Sequence, residues 1–390
     1  MARARSYPLA ALLVIGILTI YDAAQAAGFW RWEQSASGLG LSYAGSAALA
    51  ENAASLYYNP ASSALLQNTQ FSLGRVRTMP KTKFHHSSGS SGDNISRDQI
   101  RANGALSVRL SDKLTLGLTS SSPIGFTSEY SSSWPGAGQV IRARLDSKNF
   151  SPSLALQASD KLALGLGMNY QRTELEVASS SFQRDASGAA WGWHLGMLYS
   201  LSPKMRVGLA YRSSMVHKLD GRASYAASDV KVDLKSPAML IWSVHQQIDQ
   251  RWEAMGDISY TRWKDAYTLH WYRTDTGAKL ATQELGYQNS WRVAWGTRYT
   301  VDADWRIKFG LAYEQSPSRQ SANALLAEGR RYWFSLGVQY RAFGKGIMDI
   351  GFSYRRDQDS SLQQGVNDAT VSGDYNTGQY LLGVQYSQSF

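Results

Sequence analysis

The residues with reactive side chains are few and poorly placed for catalysis. Histidines stand at positions 85, 86, 194, 217, 245 and 270, and cysteine is absent. No carboxylate accompanies them at the spacing of a metal ligand set, so no metal site and no other cofactor is expected. A serine hydrolase would need a serine, a histidine and a polar orienter in contact. Here His194 and His245 are expected to point inward and no G-x-S-x-G turn occurs, so the chain is not read as an enzyme and no catalytic residue is assigned.

What remains is charge, and its position depends on secondary structure. From Lys161 to Gln171, Leu162, Leu164, Leu166, Met168 and Tyr170 alternate with Ala163, Gly165, Gly167, Asn169 and Gln171. That is the two-residue period of a strand with lipid on one face and a crowded lumen on the other. The same period recurs at Trp191 to Leu201, Met205 to Tyr211, Trp291 to Tyr299, Trp305 to Tyr313, Tyr332 to Tyr340 and Met348 to Tyr354, with aromatic residues at the ends of the apolar face. By this alternation Arg206, Arg212, Arg292, Arg298, Arg306, Lys308, Arg341 and Arg355 point inward, as do Glu253, Asp257, Glu314 and Asp349. They read either as a salt-bridge network held through Arg31, Glu33 and Glu51, or as a set in which one or two cations bind a ligand carboxylate.

Turn signals divide the chain after residue 70 into fourteen strands. Short turns at Ser111-Asp112, Ser159-Asp160, Ser202-Pro203, Asp249-Gln250, Asp302 to Asp304 and Gly344 to Gly346 alternate with long connections, which puts both termini on the periplasmic side. The expected fold is all-β: a 14-stranded antiparallel transmembrane β-barrel at 70–390, with a small N-terminal helical hatch at 27–69 plugging the lumen.

Residues 1–26 have the parts of a secretory signal: Arg3 and Arg5, an apolar run from Leu9 to Ile20, then Ala24 and Ala26. A signal, thirteen tryptophans, twenty-two tyrosines and a terminal Phe390 point to the outer membrane of a Gram-negative bacterium, with lipid and lipopolysaccharide around the wall and the barrel assembly machinery as a folding partner. The formal charge of +10 comes from scattered basic residues without a nucleic-acid-binding motif, so no nucleic acid partner is expected.

The stretch from Ala27 to Leu66 does not fit the strand pattern. Ser46 to Ala54 is Ala-rich and helix-compatible, and Asn59 can cap a helix that begins at Pro60. SGLGLSYAGSAALAENAASLYYNPAS, from Ser37 to Ser62, resembles the hatch of the FadL/TodX family of outer-membrane transporters for hydrophobic compounds. Further likeness lies in SSPIGFTSEYSSSWPG (Ser121 to Gly136), YRSSMVHKLDG (Tyr211 to Gly221), TRWKDAYTL (Thr261 to Leu269) and LAYEQSPSR (Leu311 to Arg319).

The resemblance implies a monomer that takes up long-chain fatty acids or aromatic hydrocarbons passively and releases them sideways into the membrane at a kinked third strand. It implies a hatch or gate at Ala27, Asn59, Pro60 and Ala61, with the Asn59-Pro60-Ala61 corner facing the kink. Ser122, Pro123 and Gly125 supply the kink, because Pro123 has no ladder donor and Gly125 permits sharp backbone angles. Substrate-binding residues would be Phe29, Arg292, Arg298 and Lys308. Two features depart from the family pattern: the loop at 178–188 is short and polar, and LAEGRRYW carries Arg330 and Arg331 where an acidic stretch is usual. A surface barrel serving as an adhesin or phage receptor without transport is the alternative.

Overall fold

The computed structural model describes residues 28–87, 95–224, 228–266, 268–284, 286–318, 329–342, 344, 346–366 and 369–390. The signal and Ala27 lie outside the described residues. The strands are β1 (Gln70–His86), β2 (Gln99–Arg109), β3 (Leu114–Ser121 and Phe126–Glu129), β4 (Arg142–Gln157), β5 (Leu162–Ala178), β6 (Gln183–Ser202) and β7 (Met205–Arg212 and Met215–Ala223). They continue as β8 (Ser228–Ser236 and Met239–Gln247), β9 (Trp252–Thr261 and Thr268–Arg273), β10 (Lys279–Glu284 and Ser290–Thr300), β11 (Trp305–Glu314), β12 (Arg331–Ala342), β13 (Gly346–Asp357 and Ser360–Val366) and β14 (Ala369–Ser389). Each strand pairs antiparallel with the next, and β14 returns to β1 from Gln70↔Ser389 to His86↔Gly373, closing the fourteen into a barrel.

The alternation seen in the sequence is the inside–outside pattern of the wall. Leu164, Leu166, Met168 and Tyr170 of β5 are exposed, while Asn169, Gln171 and Thr173 on the same strand are buried. Among the described residues no helix is long and apolar enough to cross a membrane. Several strands run further outward than the lipid-facing alternation predicts: β1 continues to His86, β4 begins at Arg142 and β14 at Ala369. In these extensions the pattern is reversed: outward residues such as Lys81, Lys83 and Arg144 are polar, while Phe84, Leu145, Val371 and Tyr375 are buried on the inner face.

The segment before β1 lies inside the barrel, because it bonds to strands all round the ring: Ser35 to Gln385 of β14, Ser42 to Ser335 of β12, Ser46 to Asp257 of β9 and Asn59 to Met197 of β6. It holds a four-residue helix α1 (Ala36–Leu39), capped by Ser35, and two 3-10 turns at Ala53–Tyr57 and Pro60–Leu65. The expected helix over Ser46 to Ala54 does not form. The chain makes one turn, with Gly45 O accepting from Ala48 and Leu49 N–H, and then breaks off where Glu51 reaches out to Arg298 and Lys308 and Asn52 caps the next turn. Ahead of it the N–H groups of Gly45 and Ser46 donate to Asp257 and that of Ala47 to Ser243. Glycines in the wall make room for the segment: a Cβ on Gly40 or on Gly337 of β12 would lie within 3 Å of the other's Cα.

Candidate functional site

The wall has a defect at β3. Below the break β3 pairs with β2 up to Gly104↔Ser120; above it, Phe126–Glu129 pairs with β4 and, among the described residues, with no other strand, although Glu129 N–H donates to Ile95 O. On β2 the stretch Gln99–Asn103 is therefore laddered to β1 on one side and, among the described residues, to no strand on the other. The interruption spans Ser122, Pro123, Ile124 and Gly125. Gly125 sits at φ +151°, where a side chain is strained, and a Cβ there would collide with Arg31 and the Leu145 carbonyl.

The start of the hatch fills this defect as a short strand. Arg31 N–H donates to Pro123 O and Gly125 N–H to Phe29 O, both at 2.8 Å, and Trp30 and Ile124 form an antiparallel bridge. Gln34 accepts from Ser122 N–H at 2.9 Å and donates to Ser122 O at 3.0 Å. The backbone groups of Ser122, Pro123 and Gly125 freed by the break are thus satisfied by a segment outside the barrel ladder.

Charges frame the opening. Asp146 of β4 pairs with Arg101 of β2 at 2.8 Å, spanning the place where β3 is missing, and with Arg31 at 3.4 Å and Arg144 at 2.7 Å. Arg31 also donates to Gln99 at 3.2 Å. Behind this frame is a cavity of about 100 Å³ lined by Phe29, Glu33, Gln99, Arg101, Phe126 and Arg355 among others. Phe29 itself is buried edge-on against Trp263, with ring centroids 4.8 Å apart, and beside Tyr287. The N-terminal segment is therefore held between the break in β3 and the 3-10 turn Trp263–Ala266 that interrupts β9.

The Asn59-Pro60-Ala61 corner is elsewhere. It packs on Gly165 of β5 and Gly196 of β6, two and three strands from the break, instead of facing the kink. Asn59 caps the turn by accepting from Ala61 N–H at 3.0 Å, as its residue type predicts, but its amide also donates to Ala47 O at 2.6 Å and to Met197 O at 3.1 Å. Asn59 is a rivet between two parts of the hatch and the wall as well as a cap.

On the opposite side of the lumen the hatch is tied by ions. Glu51 pairs with Arg298 at 2.6 Å and Lys308 at 3.2 Å; Lys308 also pairs with Asp349 at 2.8 Å, and Arg298 with Glu253 at 2.5 Å. Burial alone would raise the Glu51 pKa, but Lys308 and Arg298 together hold it well below the usual carboxylate range. Arg298 and Lys308 are thus brought together around one hatch carboxylate. Arg292 differs: one Nη donates to Ser42 O at 2.5 Å and its Cζ lies 4.2 Å from the Trp32 ring centroid, while its buried Nε and second Nη have no hydrogen-bond partner among the described residues.

A family model described as outer membrane protein transport protein (OMPP1/FadL/TodX) matches residues 17–390. The chain belongs to this family. As a member it is similar to the long-chain fatty acid transport protein of Escherichia coli, 26% identical over 97% of this chain and 98% of that one. The fold is similar to that of a Pseudomonas aeruginosa FadL homologue, with a TM-score of 0.85 at 18% identity, covering 93% of this chain and 100% of the other. It is also similar to the Pseudomonas putida toluene transporter TodX, with a TM-score of 0.68 at 18% identity over 94% and 100%. Outer-membrane localisation follows from the family and the barrel together.

In this family member, sequence reasoning located the break and the hatch but not what joins them. Arg101, Asp146 and Gln34 gave no motif signal, and Trp263 stood within TRWKDAYTL without an assigned role. Asp146, set among Arg142, Arg144 and Lys148, was the available hint, since a lone acid amid bases invites a partner search.

Proposed function

We propose that the protein takes up hydrophobic compounds passively from outside the cell and releases them sideways into the outer membrane through the gap beside Ser122, Pro123 and Gly125. The observation that carries this reading is the ladder that stops at Gly104↔Ser120, with the opening above it filled by the start of the hatch. A solute that displaced Phe29 to Arg31 from the break would have a route from the cavity to lipid. Such an exit is downhill, because each Å² of apolar surface leaving water gains roughly 25 cal/mol. The route straight down is obstructed by the Glu51 ion cluster and by Asn59, Pro60 and Ala61 on the glycines of β5 and β6.

The names of the relatives support long-chain fatty acids or aromatic hydrocarbons as substrates. Of the candidate substrate residues, Arg292 has donors to spare for a carboxylate, and Phe29 lines the cavity; Arg298 and Lys308 serve to hold the hatch. The reading further takes the protein as a monomer, exported by residues 1–26, inserted by the barrel assembly machinery and surrounded by lipopolysaccharide outside, with Ala27 counted among the gate residues. Uptake of labelled oleate and toluene by a strain lacking the gene tests it. Reduced uptake of either, restored by the gene, is expected; undiminished uptake of both would sink transport in favour of a surface receptor.

A further inference from the structure

The lipid-facing row of β1 contains a charge where the rest of the wall is apolar. Phe71, Leu73, Arg75, Arg77 and Met79 succeed one another along the outer side of this strand, and Leu73, Arg75 and Arg77 are exposed. Arg75 stands opposite Val384 of β14 and Ala102 of β2; Arg77 stands opposite Leu382 and Ile100. Val384, Leu382 and Ile100 are exposed apolar residues of the lipid-facing band. That band is bounded on this side by Phe71, Tyr386 and Phe390 at one end and by Tyr354 and Tyr380 at the other.

An arginine on the lipid face of a barrel is disfavoured, increasingly so with depth, so its presence calls for a partner. Arg77 has one, Asp98 at 2.6 Å. Arg75 has none among the described residues. Its surroundings give the reason it is there. On the β2 side it looks over the small residues Ala102 and Gly104, beyond which lies the gap, about 10 Å or two strand spacings away. A lipid phosphate is a poorer occupant, because headgroup-level cations are supplied further out on the same strand by Lys81 and Lys83.

We propose that Arg75 receives the carboxylate of a long-chain amphiphile as it emerges through the gap. The inference rests on the lateral-exit reading and narrows its substrate to an acid with a long apolar tail. The tail enters the bilayer while the planar guanidinium takes both carboxylate oxygens and, by extending toward the interface, carries the head to the level of the lipid headgroups.

The test uses the full-length protein in a strain lacking the gene, comparing uptake of labelled oleate with that of oleyl alcohol, which has the same tail and no charge. Arg75→Gln should lower the initial rate for oleate about tenfold and leave the alcohol unchanged. Arg75→Lys should recover part of the oleate rate, and Arg77→Gln should alter neither. An equal fall for both solutes in Arg75→Gln, or an unchanged oleate rate, overturns the role of Arg75. Failure of the unmodified protein to take up either solute overturns the transport reading beneath it, a pattern distinct from the other two.

Discussion

Trp30 of the hatch and Ile124 of the third strand form an antiparallel bridge flanked by two backbone hydrogen bonds, Arg31 N–H to Pro123 O and Gly125 N–H to Phe29 O. The start of the hatch thereby completes the wall at the place where the wall's own ladder fails. On the lateral-exit reading, a plug bonded this way would couple the lumen to the lipid face, since moving residues 29 to 31 would open both the cavity and the gap.

Gly125→Val should detach that segment. The substitution puts a β-branched residue at φ +151° and drives its Cβ into Arg31 and Leu145 O, a strain of about 1–3 kcal/mol before the clash is counted. The barrel should still migrate as a folded, heat-modifiable species, but trypsin should now cut after Arg31. Resistance at Arg31 equal to that of the unmodified protein would count against the bridge as the anchor.

Asn59 is expected to be intolerant of residues that merely cap well. Asn59→Asp keeps the cap to Ala61 but loses both donors and sets a carboxylate against Ala47 O and Met197 O. Losing both donors and setting a charged acceptor against two carbonyl oxygens should lower stability by about 2 kcal/mol or more. Calorimetry of the detergent-solubilised protein should show a lower Tm for Asn59→Asp and Asn59→Ser alike; a Tm within error of the unmodified protein would reduce Asn59 to a cap.

Asp146→Asn should loosen the frame of the gap. Arg101 and Arg31 both lose their carboxylate, leaving cations that are largely out of water without a counter-ion, which should destabilise the closed arrangement by about 1–3 kcal/mol. Initial uptake at low solute concentration is expected to rise. A rate equal to or below that of the unmodified protein would assign Asp146 a purely structural task.

The ion pairs of Glu51 predict a pH dependence. The folded-state pKa of Glu51 is depressed, so its contribution to hatch docking is fully present above the ordinary glutamate value of 4.5 and fades as pH falls through the depressed one. Protease resistance of the hatch should therefore decline as the pH is lowered from 5 towards 2, on the order of the window between the two pKa values. Glu51→Gln should flatten that decline. An identical pH profile in the variant would place the acid sensitivity at other carboxylates.

The barrel was legible because lipid imposes a strict demand on alternate residues of every strand, and Leu164 to Tyr170 or Tyr332 to Tyr340 cannot satisfy it in any other register. The break was legible because proline removes a donor at Pro123. The arms of β1 and β14 beyond the aromatic girdle turn polar residues outward and bury Phe84, Val371 and Tyr375, so they carry no lipid-facing signal and their length was not. Ser46 to Ala54 misled for a related reason: its helix propensity does not register that Glu51 in its middle is drawn to Arg298 and Lys308, residues about two hundred and fifty positions away. The frame of Arg31, Arg101 and Asp146 is assembled from three distant segments, and only the folded ring brings them together.

A disulfide staple tests the central claim most directly, in a chain that has no cysteine of its own. Trp30 and Ile124 are a non-hydrogen-bonded antiparallel pair, the geometry in which side chains approach most closely, with Cα atoms about 4.5 Å apart. In the double variant Trp30→Cys/Ile124→Cys, oxidation should abolish solute uptake by locking the hatch to the break, and a reductant should restore it. Equal uptake in the oxidised and reduced forms would show that solute reaches the membrane without the hatch leaving the third strand.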